Sequence, residues 1–146
     1  MEETDALIVG LLARDGRMSY TDLAKAAGLS TSAVHQRVRR LEERGVIRGY
    51  AAVVDPEQVG LALTAFISVA PFDRSAPDDV PDRLADITEI EACHSVAGEE
   101  SYILKVRVAK PSDLETLLGR VRATANVSTR TTVVLSTPYE ARPPAL

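Results

Sequence analysis

Apolar residues recur at helical spacing through the first third of the chain and alternate beyond it. Leu7, Ile8, Leu11 and Leu12 fall at i, i+1, i+4 and i+5 and predict a helix over residues 5–15, with Asp5 as its N-cap and Gly16 as its stop. A second, short helix is predicted over residues 20–27. Ser19 stands where a cap belongs, with Asp22 three residues on; Leu23, Ala24 and Ala27 face inward, and Gly28 ends the helix in a left-handed turn. Ser30 then caps a third helix over residues 31–44 that stops at Gly45, and Val34, Val38 and Leu41, at i, i+4 and i+7, form its buried stripe. Residues 46–54 are β-prone and read as a short two-stranded ribbon turning near Arg48-Gly49, or as a wing leading into a linker.

Asp55-Pro56 breaks the pattern, and a different periodicity follows. Leu63, Ala65, Ile67 and Val69 alternate; Ile103, Leu104, Val106 and Val108 mark another apolar strand; Thr131, Thr132, Val133, Val134 and Leu135 are strongly β-favouring. Leu114, Leu117, Leu118 and Val121 give a helix its inner face, with Pro111 ahead of it and Ser112 or Asp113 to cap it. The predicted order is strand 62–70, helix 79–88, strand 91–97, strand 102–109, helix 112–123 and strand 127–136, a βαββαβ arrangement of the ferredoxin-like kind. The fold class is therefore α+β. A winged helix-turn-helix occupies residues 1–54, a linker 55–61, the βαββαβ domain 62–138 and an irregular tail 139–146. Two helices cover only one face of such a sheet. A large apolar face is rarely left to water, so the other face is predicted to pack on a second copy of the chain.

Composition sharpens this picture. Hydrophobic residues are 45% of the 146, but aromatics only 4% with no Trp, so the cores must be aliphatic. The net charge of −4 argues against nucleic-acid binding only if taken whole. Residues 1–50 carry eight Arg/Lys against seven Asp/Glu, residues 51–146 nine against fourteen. The basic excess is concentrated in Arg37, Arg39, Arg40, Arg44 and Arg48, opposed by Glu42 and Glu43. Cys93 cannot form an internal disulfide and sits among Ile90, Ala92 and Val96 as a buried structural thiol would. His35 and His94 are the only histidines, so neither belongs to a metal-ligand spacing. No nucleophile motif, P-loop or paired-carboxylate pocket points to an enzyme. No apolar run suits a membrane span and the N-terminus lacks a signal-peptide pattern, so no membrane partner is expected and the cytoplasm is the default location.

The second and third predicted helices, with the tight Gly28-Leu29-Ser30 turn between them, have helix-turn-helix proportions. In that geometry the N-terminal half of the second helix of the motif meets base edges in the major groove of double-stranded DNA. Thr31, Ser32, His35 and Gln36 occupy those positions, with Arg39 one turn on; Gln36 suits adenine and Arg39 guanine. Arg37 and Arg40, with the helix N-terminus at Ser30 and Thr31, suit phosphates. A solvated amphipathic helix with an incidental Arg cluster is the alternative. It leaves unexplained why the N-terminal face is uncharged and hydrogen-bonding while the basic groups lie beside it.

Three stretches carry a resemblance: Gly28-Leu29-Ser30-Thr31-Ser32-Ala33-Val34, then Arg37-Val38-Arg39-Arg40-Leu41-Glu42, then Gly45-Val46-Ile47-Arg48-Gly49-Tyr50. They closely resemble the Lrp/AsnC (feast/famine) regulators, and the likeness continues through Asp55-Pro56, Gly60-Leu61, residues 96–102 and the last strand. Gly98-Glu99-Glu100-Ser101-Tyr102 stands where that family often carries Gly-Asp-Tyr-Asp-Tyr. The resemblance implies a dimer built by the C-terminal sheets that assembles further, to a tetramer or an octamer made of four dimers. It implies amino-acid effectors bound between dimers near the turn over residues 98–102 and the final strand, and no cofactor. Physically, Gly98 permits a close backbone approach, and Glu99 and Glu100 offer charge to an α-ammonium group. Free amides or the Ser101 hydroxyl suit an α-carboxylate, and Thr129 or Thr131 completes the pocket. A plain solvated hairpin is the other reading of that turn.

The function so implied is sequence-specific transcriptional regulation, with oligomeric state or DNA affinity responding to an amino acid or related small molecule. Two recognition helices of a dimer would meet inverted half-sites about 34 Å apart or a multiple of it. An effector-independent architectural DNA-binding protein is one alternative. A tetrapyrrole decarboxylase-like enzyme, from a group that resembles the same family, is another.

Overall fold

Helix α1 (Glu3–Arg14), α2 (Tyr20–Ala27) and α3 (Thr31–Glu43) pack around Ile8, Leu12, Leu23, Ala24, Val34, Val38 and Leu41. Fully burying an aliphatic side chain contributes about 1.5–3 kcal/mol, so this small cluster is the main support of the three helices. The computed structural model describes residues 1–146 and divides into two units, one of residues 1–53 with 138–146, the other of residues 54–137. Both helix-turn-helix caps form as their sequence predicts. The Ser19 hydroxyl accepts from the Asp22 amide at 3.1 Å and the Ser30 hydroxyl from the Ala33 amide at 3.2 Å. Gly28, at φ +64°, makes the left-handed turn between α2 and α3, a conformation that costs a residue with a Cβ about 1–2 kcal/mol.

Helix α1 differs from its sequence reading in two respects. It starts at Glu3, so Asp5 is not its N-cap; the Asp5 carboxylate is buried, 8% exposed, and accepts from Arg37 of α3 at 2.7 Å. Its stripe is also narrower than predicted: Ile8 and Leu12 are core, whereas Leu7 stays 44% exposed.

The ribbon or wing expected over residues 46–54 forms no strand. The Val46 and Ile47 amides turn back instead to the Leu41 carbonyl, at 2.9 and 3.1 Å, closing the C-terminus of α3. Donors spent on a helix end cannot pair in a ladder, and Val53, at 93% exposed, finds no cover. The tail carries no helix or strand, and Leu146 reaches α1 beside Gly10.

The second unit comprises β1 (Leu63–Pro71), α4 (Val80–Leu84), β2 (Ile90–Ser95), β3 (Tyr102–Val108), α5 (Pro111–Ala125) and β4 (Val127–Val133). The antiparallel sheet has the order β2-β3-β1-β4, the ferredoxin-like arrangement. Ile67 pairs with Leu104 on one side and Thr131 on the other, which sets the register. Ala65, Ile67, Val69, Leu104 and Val106 face Leu114, Leu117 and Val121 of α5 and Val80 and Leu84 of α4. Helix α4 is half the predicted length, because the chain turns after Leu84 to drop Ile87 into the core.

Two further expectations are corrected here. Cys93 lies on the edge strand β2 and is exposed, not a buried thiol; it shares a face with Leu104, but at the rim of the sheet it has less cover than the strands inside. The uncovered sheet face is not broadly apolar. It presents Thr64, Phe66, Ser68 and Ala70 from β1, Ile103, Lys105 and Arg107 from β3, and Ser128, Arg130 and Thr132 from β4. Phe66, 38% exposed, and half-buried Ile103 are its only large apolar side chains, and Glu91 pairs with both Lys105 and Arg107.

Candidate nucleic-acid interface and effector concavity

The two sides of α3 are chemically distinct. Val34, Val38 and Leu41 are fully buried, whereas Thr31, Ser32, His35, Gln36, Arg39 and Arg40 are all exposed on the remaining circumference. The helical repeat alone dictates this division. Ser30 precedes the helix, its hydroxyl committed to the cap and within 3.2 Å of the Ser32 hydroxyl. Arg39 donates to Glu43 one turn on, at 2.8 Å, but is 80% exposed, so a phosphate or a base can displace so exposed a partner at small cost.

Arg37 behaves differently from its neighbours. Its guanidinium donates to Glu2 at 2.8 Å and to Asp5 at 2.7 Å, and it is only 22% exposed. Hydrogen bonds to Glu2 and then Asp5 raise its pKa further above the usual arginine value. The geometry makes Arg37 a clamp of α3 on α1 rather than a free phosphate ligand. Two other side chains that sequence reasoning did not single out support the motif. Tyr20, the first residue of α2, lies against the His35 ring with centroids 3.9 Å apart and planes tilted by 56°. Tyr50 donates to Glu42 at 2.9 Å; partial burial, then this bond, pushes its pKa up to about 12.

In the second unit the turn over residues 98–101 meets the start of β4. A concavity of about 240 Å³ is lined by Ser68, Ala70, Glu99, Glu100, Ser128, Thr129 and Arg130. Arg130 pairs with Glu100 at its wall. A neighbouring concavity of about 320 Å³ takes Gly98, Glu99 and Ser101 together with Asp73, Arg74 and Asp78. Tyr102 donates to Asp78 at 2.6 Å, tying this loop to β3, and the bond lifts the Tyr102 pKa to about 12.

Of the six residues proposed from the sequence for an effector, Glu99 thus lines both hollows. Glu100 and Thr129 line the first, Gly98 and Ser101 the second, and Thr131 neither. Thr131 lies opposite the core residue Ile67, so it points to the helical side of the sheet. Thr129 shares that parity, and its hydroxyl accepts from Arg122 of α5 at 3.2 Å. Arg130 is the residue missed. Alternation from buried Val127 puts odd-numbered residues of β4 on the covered face and even-numbered ones on the open face, a signal present in the sequence. No group of three or more His, Cys, Asp or Glu side chains gathers as a metal site would require.

Comparison with known proteins follows the same two-part division. The AsnC-type helix-turn-helix domain matches residues 1–42, and the Lrp/AsnC ligand binding domain matches residues 64–144. The chain is 55% identical over 142 residues to the HTH-type transcriptional regulator LrpA of Mycobacterium tuberculosis, covering 97% of this chain and 95% of that one. A solved feast or famine regulatory protein from M. tuberculosis, complexed with L-methionine, superposes with a TM-score of 0.95 at 55% identity over 97% of this chain and 96% of its own. A transcriptional regulator–L-methionine complex from Neisseria meningitidis matches with a TM-score of 0.88 at 27% identity, over 96% and 93% of the two chains.

Proposed function

This chain belongs to the Lrp/AsnC family of transcriptional regulators, and from that premise we propose that it reads an inverted-repeat operator through α3 and answers to an amino acid bound in its second unit. The observation that carries the DNA half is the undivided polar face of α3. Thr31, Ser32, His35, Gln36 and Arg39 are free of the protein's own core while Val34, Val38 and Leu41 hold the rod from behind. Thr31, Ser32, His35, Gln36 and Arg39 reach base edges; Arg40 and the N-terminal amides beyond Ser30 take phosphates. Arg37, held by Glu2 and Asp5, orients the helix. Regulators of this family are DNA-binding proteins rather than enzymes, which sets aside the decarboxylase alternative.

The concavity beside Arg130 supports the effector half. It places a guanidinium and two carboxylates around one small hollow, the polar complement of a zwitterion. The α-carboxylate goes to Arg130, and the ammonium to Glu99, the acidic group not engaged with that arginine. Two solved relatives are methionine complexes, so L-methionine heads the panel of ligands. The chain acts as a dimer through its open sheet faces, centred on Phe66 and Ile103, and dimers associate further to a tetramer or an octamer. An effector that binds one arrangement of dimers better than another shifts DNA affinity by linkage.

Operator binding by fluorescence anisotropy tests the first half. Arg39→Ala lowers specific affinity about ten-fold or more, as the loss of one good base contact should, without changing the mass measured by sedimentation. Normal operator binding by that variant removes the reading of α3. Calorimetry with a panel of amino acids tests the second half, and no heat with any of them leaves an architectural DNA-binding protein.

A further inference from the structure

The face of α3 that meets DNA contains one side chain held by a residue of another helix. His35 is exposed, yet its imidazole lies against the ring of Tyr20, with centroids 3.9 Å apart. Tyr20 is itself anchored. It opens α2, where the Ser19 cap fixes its backbone, and its half-buried ring packs on the cluster of Ile8, Leu23 and Val34. Elsewhere on that face Ser32 has the neighbouring Ser30 hydroxyl at 3.2 Å, and Arg39 pairs with Glu43 one turn along its own helix.

An unheld histidine samples several rotamers, and its ring nitrogens sweep a wide arc. A ring laid against a fixed aromatic keeps one plane, and a planar ring hydrogen-bonds only in that plane. We propose that Tyr20 is a specificity-positioning residue: it holds the His35 imidazole so that one ring nitrogen meets a single purine edge, N7 or O6, in each half-site. Tyr20 touches no base itself and acts through His35. The proposal rests on the reading of α3 as the DNA-recognition helix and adds the element that makes one of its contacts directional. The rings meet at a tilt of 56° rather than in a stack, so the tyrosine takes one side of the exposed imidazole and leaves the rest of its rim to a base.

The test selects bound duplexes from a randomised operator with the full-length wild type, Tyr20→Leu, Tyr20→Phe, His35→Ala and the Tyr20→Leu/His35→Ala double variant. His35→Ala flattens the preference at one base pair per half-site by about five-fold or more. Tyr20→Leu, which keeps apolar bulk against the core, flattens the same base pair, and the double variant is no flatter than either single one. Tyr20→Phe keeps the wild-type preference. Binding to non-operator DNA and its salt dependence stay the same throughout, because no phosphate contact is lost. The His35 ring-proton shifts of the free protein supply a readout independent of DNA. They are displaced by the ring current of the aromatic side chain at position 20 in the wild type and in Tyr20→Phe, and return to ordinary values in Tyr20→Leu.

Undisplaced His35 shifts in the wild type overturn the proposal, as does a Tyr20→Leu profile that keeps the preference His35→Ala removes. A uniform loss at every base pair and on non-operator DNA also overturns it, since that marks a merely structural role. If His35→Ala changes no position while Arg39→Ala still lowers operator affinity, the proposal fails and the reading of α3 stands. If neither variant alters binding, the reading of α3 itself fails.

Discussion

The three-helix unit and the α/β unit are both built on aliphatic cores, yet they put their working groups on the surface in different ways. In the first, a single helix supplies nearly every candidate contact, and one face of it is sufficient to name them. In the second, the concavity is assembled from β1, the turn before β3 and the start of β4, segments far apart in the chain. A one-helix site is as stable as the docking of that helix. A composite site is only as well formed as the sheet register and the loops that converge on it. The proposed DNA face should therefore respond mainly to changes behind α3, and the proposed effector hollow to changes in its own wall.

The largest break in this contrast comes from the core under α3. Leu41→Ala, at a site 1% exposed, removes about 2–5 kcal/mol, and hydrogen exchange localises the loss to residues 1–53 while residues 63–133 keep their protection. Equal loss of protection in both regions contradicts the independence of the two cores.

Next is the clamp of α3 on α1. Asp5→Ala leaves Arg37 with Glu2 alone, and a charge-assisted bond in a half-buried setting accounts for about 1.5 kcal/mol of stability in chemical denaturation. Operator affinity falls with the mispositioned helix, while amino-acid binding by calorimetry is unmoved. A normal melting curve for Asp5→Ala would show that the Arg37 contact is incidental.

The reciprocal change acts on the other unit. Arg130→Gln opens the pair with Glu100 and removes the cation of the concavity, so amino-acid affinity drops about ten-fold while ligand-free operator binding holds. Unchanged calorimetry would move the ligand to the neighbouring hollow lined by Arg74 and Ser101.

The smallest effect is a pH dependence in the first unit. Tyr50 has an ordinary value of 10.0 in the unfolded chain and is pushed up to about 12 when folded, so the native state holds its proton more tightly. Its contribution is complete below pH 10 and is lost as pH rises from 10 towards 12. Tyr50 is 51% exposed, which keeps the effect small. Tyr50→Phe removes that alkaline slope from the stability curve of residues 1–53 and leaves neutral stability little changed; a slope identical to the wild type would assign it to another group.

Much of this was legible in the chain. Residues 20–27 are the second helix as the caps predict, and the faces of α3 follow from Val34, Val38 and Leu41. The order of strands and helices in the second unit follows from where period two gives way to period 3.6. The failures share a cause. The ribbon over residues 46–54 has β propensity, but its amides are claimed by the end of α3. Its place on the final strand predicts Thr131 in the effector hollow, whereas its register opposite Ile67 turns it to the core side.

Neighbours within a few residues encode the division into a helical reader and a sheet domain, the caps, and which side of each element is apolar. Only helix docking makes a clamp of Asp5 and Arg37, 32 residues apart. Folding likewise brings Glu100 and Arg130, 30 apart, to one wall and lays His35 against Tyr20. Such pairs meet only after helices dock and strands take register, and no local periodicity encodes the distance between side chains on different elements.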